Sequence, residues 1–359
     1  MLTADGLYLG ITDIQCVKTV TADAGGAEKR DDHMMQSSAV SVPRSAFRQR
    51  SDIVSAEFPE GVQIIEENAF RDCTGLKTAC IPDGTVRIES GAFANCIQLK
   101  QLTLPASLAE IGMLAFRGCT SLESVQIPSS VRVLSGWTFQ QCESLKKIDL
   151  PNGLVSIDCG AFIGCRSLDH IRIPNTAEMI RENAFEDCTG LAIIHVPNSV
   201  RVMKNSIFKN CTGLKTAYLP SSLEHIGMSC FEGCSSLSSI HLDMPGHEAM
   251  EKLFSIVTKT DEKLLFAVGM LEEGVRSALL ESYLKQYIKQ AMLSLCRGEY
   301  DAMLLKLLGM SYLQDDISRC FDEVFREVNS SGSVKMKALL LNYRQNALGY
   351  KEDTDAFEL

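Results

Sequence analysis

Eight cysteines stand at Cys73, Cys96, Cys119, Cys142, Cys165, Cys188, Cys211 and Cys234, each 23 residues after the last, with no insertion or deletion. Three residues before each is a phenylalanine (Phe70, Phe93, Phe116, Phe139, Phe162, Phe185, Phe208, Phe231), and three after each a leucine, from Leu76 to Leu237. Proline keeps the same step at Pro59, Pro82, Pro105, Pro128, Pro151, Pro174, Pro197 and Pro220. A fixed period in this range specifies a solenoid, because one such unit cannot bury its apolar face alone and must stack on identical neighbours.

Within a unit, Leu99-Lys100-Gln101-Leu102-Thr103-Leu104-Pro105 alternates apolar and polar residues up to the proline. That pattern predicts a short strand, ended because proline has no N–H for the ladder. An apolar pair follows, as in Val131 with Leu134, Leu154 with Ile157 and Val200 with Met203, predicting a second extended segment. A turn then leads into Ala-Phe. Asp72, Asn95, Gly118, Gly164, Asp187, Asn210 and Gly233, immediately before the cysteines, supply the residue types that tight turns favour. Successive coils are expected to stack at the strand spacing of about 4.8 Å.

The unit I-x-x-x-A-F-x-x-C-x-x-L-x-x-I-x-I-P, seen here as Ile111 to Pro128, resembles the leucine-rich repeat family, and within it the bacterial surface-antigen-like (BspA-like) branch. The resemblance covers Pro59 to Leu242 in eight tandem copies. It implies an α/β repeat solenoid, a β-rich right-handed coil, and a role in adhesion or interaction, often after export.

The array degrades at both ends. Upstream, Phe47 keeps the phase while Arg50, Ile53 and Gln36 replace cysteine, leucine and proline; downstream, Asp243 takes the proline position. Polar terminal units fit the need to protect open sheet edges. The expected organisation is therefore an N-terminal segment and linker (1–36), a repeat solenoid (37–245, with a degenerate first repeat 37–59 and full repeats 60–243), and an all-α C-terminal region (246–359). Residues 1–20 hold one alternating stretch, Leu7 to Ile11, and 21–38 read as a polar, mobile linker. Beyond Gly246 the period becomes helical. Leu279, Leu280, Tyr283, Leu284, Tyr287, Ile288 and Ala291 form a wide apolar face, and similar faces follow at 303–308, 317–328 and 334–341. These resemble the paired helices of helical-repeat or ankyrin-like modules, with linking turns that lack the ankyrin signature. The tail 351–359 is acidic and expected to fray.

Composition narrows function. The chain has 359 residues, 45 acidic against 35 basic, and a formal net charge of -10, a field that disfavours nucleic acid and anionic membranes. No apolar run is long enough for a spanning helix. Met1 to Thr12 shows no secretory pattern, which points to the cytoplasm; the alternative is a cell-surface or secreted protein whose signal is missing from this chain. A ladder presents one cysteine per coil, whereas zinc needs ligands converging on one point, so no metal is expected. The cysteines read as small buried side chains, with disulfides between coils the alternative if the protein is exported. Cys230 and Cys234 form C-x-x-x-C, and core packing is the better account.

No phosphate loop, H-E-x-x-H or G-x-S-x-G occurs. His247-Glu248 lacks a second histidine, Glu251 standing in its place. Cys296 and Cys320 have no histidine beyond His247 to activate them, so neither an enzyme nor a cofactor is expected.

The outward strand positions remain. One column reads Cys80, Thr103, Gln126, Asp149, Arg172, His195, Tyr218, His241, and the other Thr78, Gln101, Ser124, Lys147, His170, Ile193, Thr216, Ser239. The first half is bland. The second gathers Asp149, His170, Arg172, His195, Tyr218 and His241 as a candidate partner-binding patch, arginine and tyrosine being frequent interface anchors. The same residues also read as ordinary solvated strand positions. His195 and His241 lie two coils apart, too far to share a metal. Two functions follow: a non-catalytic scaffold binding another protein through the strand face, or an exported adhesin of the same repeat type.

Overall fold

The computed structural model describes residues 14–22, 28–36, 41–244, 246–257, 259–271, 278–331 and 333–348. Nine coils, one for each phenylalanine from Phe47 to Phe231 and numbered here in that order, stack into a parallel β-solenoid followed by helices. Every parallel pairing steps by 23 residues, for example Ser124↔Lys147 and Tyr218↔His241. The repeat length in the sequence is thus the register of the sheet.

Each regular coil contributes two strands. The first follows the leucine and builds three pieces of one face, running through Ile53–Glu57, Thr78–Cys80 and Gln101–Thr103, then Ser124–Gln126 and Lys147–Asp149, then Ile193–His195, Thr216–Leu219 and Ser239–Leu242. The second, two residues long, ends on the second member of the apolar pair that follows the proline, as at Val133–Leu134 and Val202–Met203, while the first member, Val131 or Val200, is buried just before it. The sixth coil departs from expectation: residues 169–173 form no strand, although Ile171 and Ile173 stay buried and His170 and Arg172 exposed. Phase is kept where pairing is lost.

The third side is a turn with two residues in the left-handed region. The position before the cysteine has φ of 58 to 75° in every full coil, through Asp72, Asn95, Gly118, Gln141, Gly164, Asp187, Asn210 and Gly233. Asp, Asn and Gly there are explained, since they enter this region most cheaply. Neighbouring coils also choose among them: Asn95 Nδ2 donates to Asp72 Oδ1 at 2.8 Å, and a Cβ on Gly118 would lie 2.6 Å from Asn95 Oδ1. Asp187, Asn210 and Gly233 repeat this trio.

Inside, the nine phenylalanine rings stack with centroids 4.7 to 5.8 Å apart and planes within 18°. The cysteines do more than fill space. Each column thiol donates to the carbonyl of the phenylalanine 26 residues earlier, from Cys73 to Phe47 O at 2.9 Å to Cys234 to Phe208 O at 3.0 Å. The eight cysteines of the column are free thiols. Burial pushes Cys73 up to about 12 and holds Cys96, Cys119, Cys142, Cys165, Cys188 and Cys211 well above the ordinary thiol value. They remain protonated donors at neutral pH.

Both ends are covered. Strands Ile14–Ala22 and Glu28–Gln36 form an antiparallel hairpin whose inner strand pairs with Ile53–Glu57, with a register shift between Val20 and Thr21. The linker expected at 21–38 is therefore corrected: residues 21–22 end the inner strand and 28–36 form the outer one. An open sheet edge offers a row of backbone groups, and pairing there outweighs a polar sequence. The alternating stretch Leu7 to Ile11 and the tail 351–359 lie outside the described residues.

At the other end stand helices α1 (Gly246–Ile256), α2 (Thr260–Gly269), α3 (Ala278–Arg297), α4 (Asp301–Leu308), α5 (Gln314–Ser331) and α6 (Val334–Asn346). Helix α2 lies on the last coil: Phe266 meets Phe231 edge-on at 5.8 Å, and the carboxylate of Glu262 accepts the Ser229 N–H at 2.6 Å. Tyr300, between α3 and α4, donates its hydroxyl to Phe231 O at 2.7 Å. That carbonyl is the one a tenth coil's cysteine would have capped. The buried residues of solenoid and helices form one contiguous core.

Candidate partner-binding surface

The alternation of strand side chains positions the site. In Ile193–His195 the central Ile194 is buried while Ile193 and His195 face out, and Thr216–Leu219 turns Ala217 and Leu219 in and Tyr218 out. Register places His195 beside Tyr218 and Tyr218 beside His241. Their rings stack, His195 on Tyr218 at 4.3 Å and 3°, and Tyr218 on His241 at 4.8 Å and 15°. His195 and Tyr218 are exposed and His241 is half-buried, so the stack is open to solvent along most of its length. Tyr218 is 39% exposed and Ile193 47%.

The six residues singled out in the sequence do not form one sheet. His195, Tyr218 and His241 share the three-stranded piece, while Asp149 lies in the two-stranded piece and pairs with Lys147 at 3.1 Å. Between them, on the strandless sixth coil, His170 pairs with Asp169, and Arg172 is exposed without an ion-pair partner among the described residues. A groove of about 410 Å³ runs along the ring stack, walled by Asn175, Asn198, Pro197, Pro220 and Asp243. The sequence reading missed this wall. Its signal was a third column, the residue after the proline, which is asparagine at Asn152, Asn175 and Asn198. Lys215, exposed one residue before Thr216, was missed because only two outward positions per strand were followed.

Elsewhere the chemistry is subdued. Among the described residues no group of three or more His, Cys, Asp or Glu is placed to hold a metal ion, and no helix is long and apolar enough to cross a membrane. Cys296 is buried and pushed up to about 12, and Cys320 is raised by desolvation, so both are poor nucleophiles.

The profile of the BspA type leucine rich repeat region matches residues 40–165 and 134–259, with six copies. The chain belongs to this family. Its members are in general protein-interaction or surface-antigen-like scaffolds, typically without catalysis. Among solved structures, the chain is similar to a leucine-rich repeat protein from Bacteroides ovatus, at 28% identity over 62% of each chain with a TM-score of 0.49. It is also similar to a leucine rich cell surface protein from Faecalibacterium prausnitzii, at 22% identity over 74% of this chain and 82% of that one, with a TM-score of 0.46. The chain thus spans 62% of the length of the Bacteroides protein. A search of curated proteins finds no match.

Proposed function

We propose that this protein is a non-catalytic scaffold that binds another protein through the exposed strand face of its later coils, with Arg172, His195, Tyr218 and His241 at the centre and Asp149 and His170 at the margin. Residues 37–245 serve as the interaction module and the helices as its cap. One observation carries the reading: the interior columns repeat almost unchanged along the array, whereas one outward column passes from Cys80, Thr103 and Gln126 to a stacked His195-Tyr218-His241 beside a groove. Stability alone does not require that change, and large amphipathic rings are what interfaces enrich.

The test is capture from lysate of the native source by the purified protein, beside an Arg172→Ala, His195→Ala, Tyr218→Ala triple variant whose circular dichroism matches the parent. A partner held by the parent and lost by the variant supports the reading. The same partner held by both contradicts it. Family membership also favours a second setting for this surface, display outside the cell as an adhesin. Removal of the protein by protease treatment of intact cells supports that setting, and recovery only in the cytosol excludes it.

A further inference from the structure

We propose that the partner segment seated on this face is a short acidic peptide, an inference that rests on the reading of the face as a partner-binding surface. The molecule as a whole carries a formal charge of -10, yet the outward strand positions of coils seven to nine hold no carboxylate. The adjoining sixth coil holds Arg172, and Lys215 stands one residue before the strand of coil eight; both are exposed and both are without an ion-pair partner among the described residues. Nearby carboxylates are engaged or marginal: Asp149, one coil before Arg172, pairs with Lys147, Asp169 pairs with His170, and Asp243 of the last coil lines the groove. From the helical side, the Lys306 ammonium donates to Ser238 O, just before the last strand, at 2.9 Å and to Gly269 O at 3.0 Å.

The neutral groups point the same way. Tyr218 brings a hydroxyl, His195 and His241 ring nitrogens, and Asn175 and Asn198 side-chain amides along one groove. A surface of hydrogen-bond donors with two unpaired cations is complementary to carboxylates, and Arg172 can take one in a bidentate fork. A long polyanion is a poorer fit. At ordinary ionic strength the patch acts over about 10 Å, beyond which a nucleic acid or lipid surface meets the net negative remainder of the molecule. A short segment stays inside the patch.

The experiment is fluorescence anisotropy of the full chain with a fluorescein-labelled peptide of ten glutamates, beside ten-glutamine and ten-thymidylate probes, in 50 and 300 mM salt. The ten-glutamate peptide is expected to bind at least about tenfold more tightly than ten glutamines and to weaken with salt. Arg172→Glu with Lys215→Glu should weaken it at least about tenfold, while Lys77→Glu with Lys100→Glu, an equal change in net charge on coils two and three, should leave it within about threefold. The proposal is overturned if both reversals weaken binding equally, if the glutamate and glutamine peptides bind alike, or if the oligonucleotide binds as tightly and is lost with the same pair. Should it fail in any of these ways while a lysate partner is still lost by the Arg172, His195 and Tyr218 triple variant, the face stands and only its acidic ligand falls.

Discussion

Coils two to four and coils seven to nine are the same object inside and different objects outside. Phe93 and Phe185 are both fully buried, each stacked between two neighbours, and each carbonyl takes a cysteine thiol from the next coil. Outside, Gln101 and Thr103 occupy the positions that Ile193 and His195 occupy later. Interior columns answer to packing and must recur, while exterior columns answer to solvent or a ligand and are free to diverge. Fold and recognition are therefore written on alternate residues of the same strands.

The largest expected effect treats both halves alike. A buried thiol whose folded pKa lies above its unfolded value near 9 contributes stability that is complete below pH 9 and lost as pH rises toward the folded value. Each such thiol loses about 1.4 kcal/mol per pH unit in that window, and the seven raised members of the column together about 10 kcal/mol. That is comparable to the whole stability of a typical domain, so cooperative unfolding is expected between pH 9 and 12, read by circular dichroism under reducing conditions. A protein stable to pH 12 would mean the column is open to water.

Next in size is the phenylalanine column. Phe93→Ala and Phe185→Ala should each cost about 3 to 5 kcal/mol in urea titration, and by similar amounts, because their surroundings are equivalent. A difference of more than about 2 kcal/mol between them would break the equivalence of the two interiors. At the end of the column, Tyr300→Phe removes the hydroxyl that caps Phe231 O and should cost about 1 kcal/mol. A loss well below that would mean the helices hold the last coil by packing alone. The smallest effect on stability, within about 0.5 kcal/mol, is expected for the exposed triple Gln101→Ala, Thr103→Ala, Gln126→Ala.

How far the sequence reveals the structure follows the same division. Whatever repeats was legible: the register, the two strands, the turn residues before the cysteines, and the alignment of His195, Tyr218 and His241 in one column. What occurs once was legible only where it is amphipathic, as in the apolar faces at 279–291, 303–308, 317–328 and 334–341 that fall on α3 to α6. Helix α2 shows no clear amphipathic period because Leu264 through Gly269 are all buried, so no polar face marks it. The outer strand of the N-terminal hairpin, Glu28–Gln36, is polar and is placed by the strand it pairs with. The thiol-to-carbonyl bonds cross between coils, and the Tyr300 bond spans 69 residues, separations that local patterning does not report. At the candidate site, the loss of strand pairing around Arg172 had no sequence signal, whereas the asparagine column and Lys215 had one that lay outside the two positions followed.

The most direct test of the central claim is a three-way capture experiment with the parent, the Arg172, His195, Tyr218 triple variant and the Gln101, Thr103, Gln126 triple variant, all confirmed folded. A partner held by the parent and by the early-coil variant but lost by the late-coil variant is the predicted result. Loss in both variants, or retention in both, would contradict the assignment of recognition to the later coils.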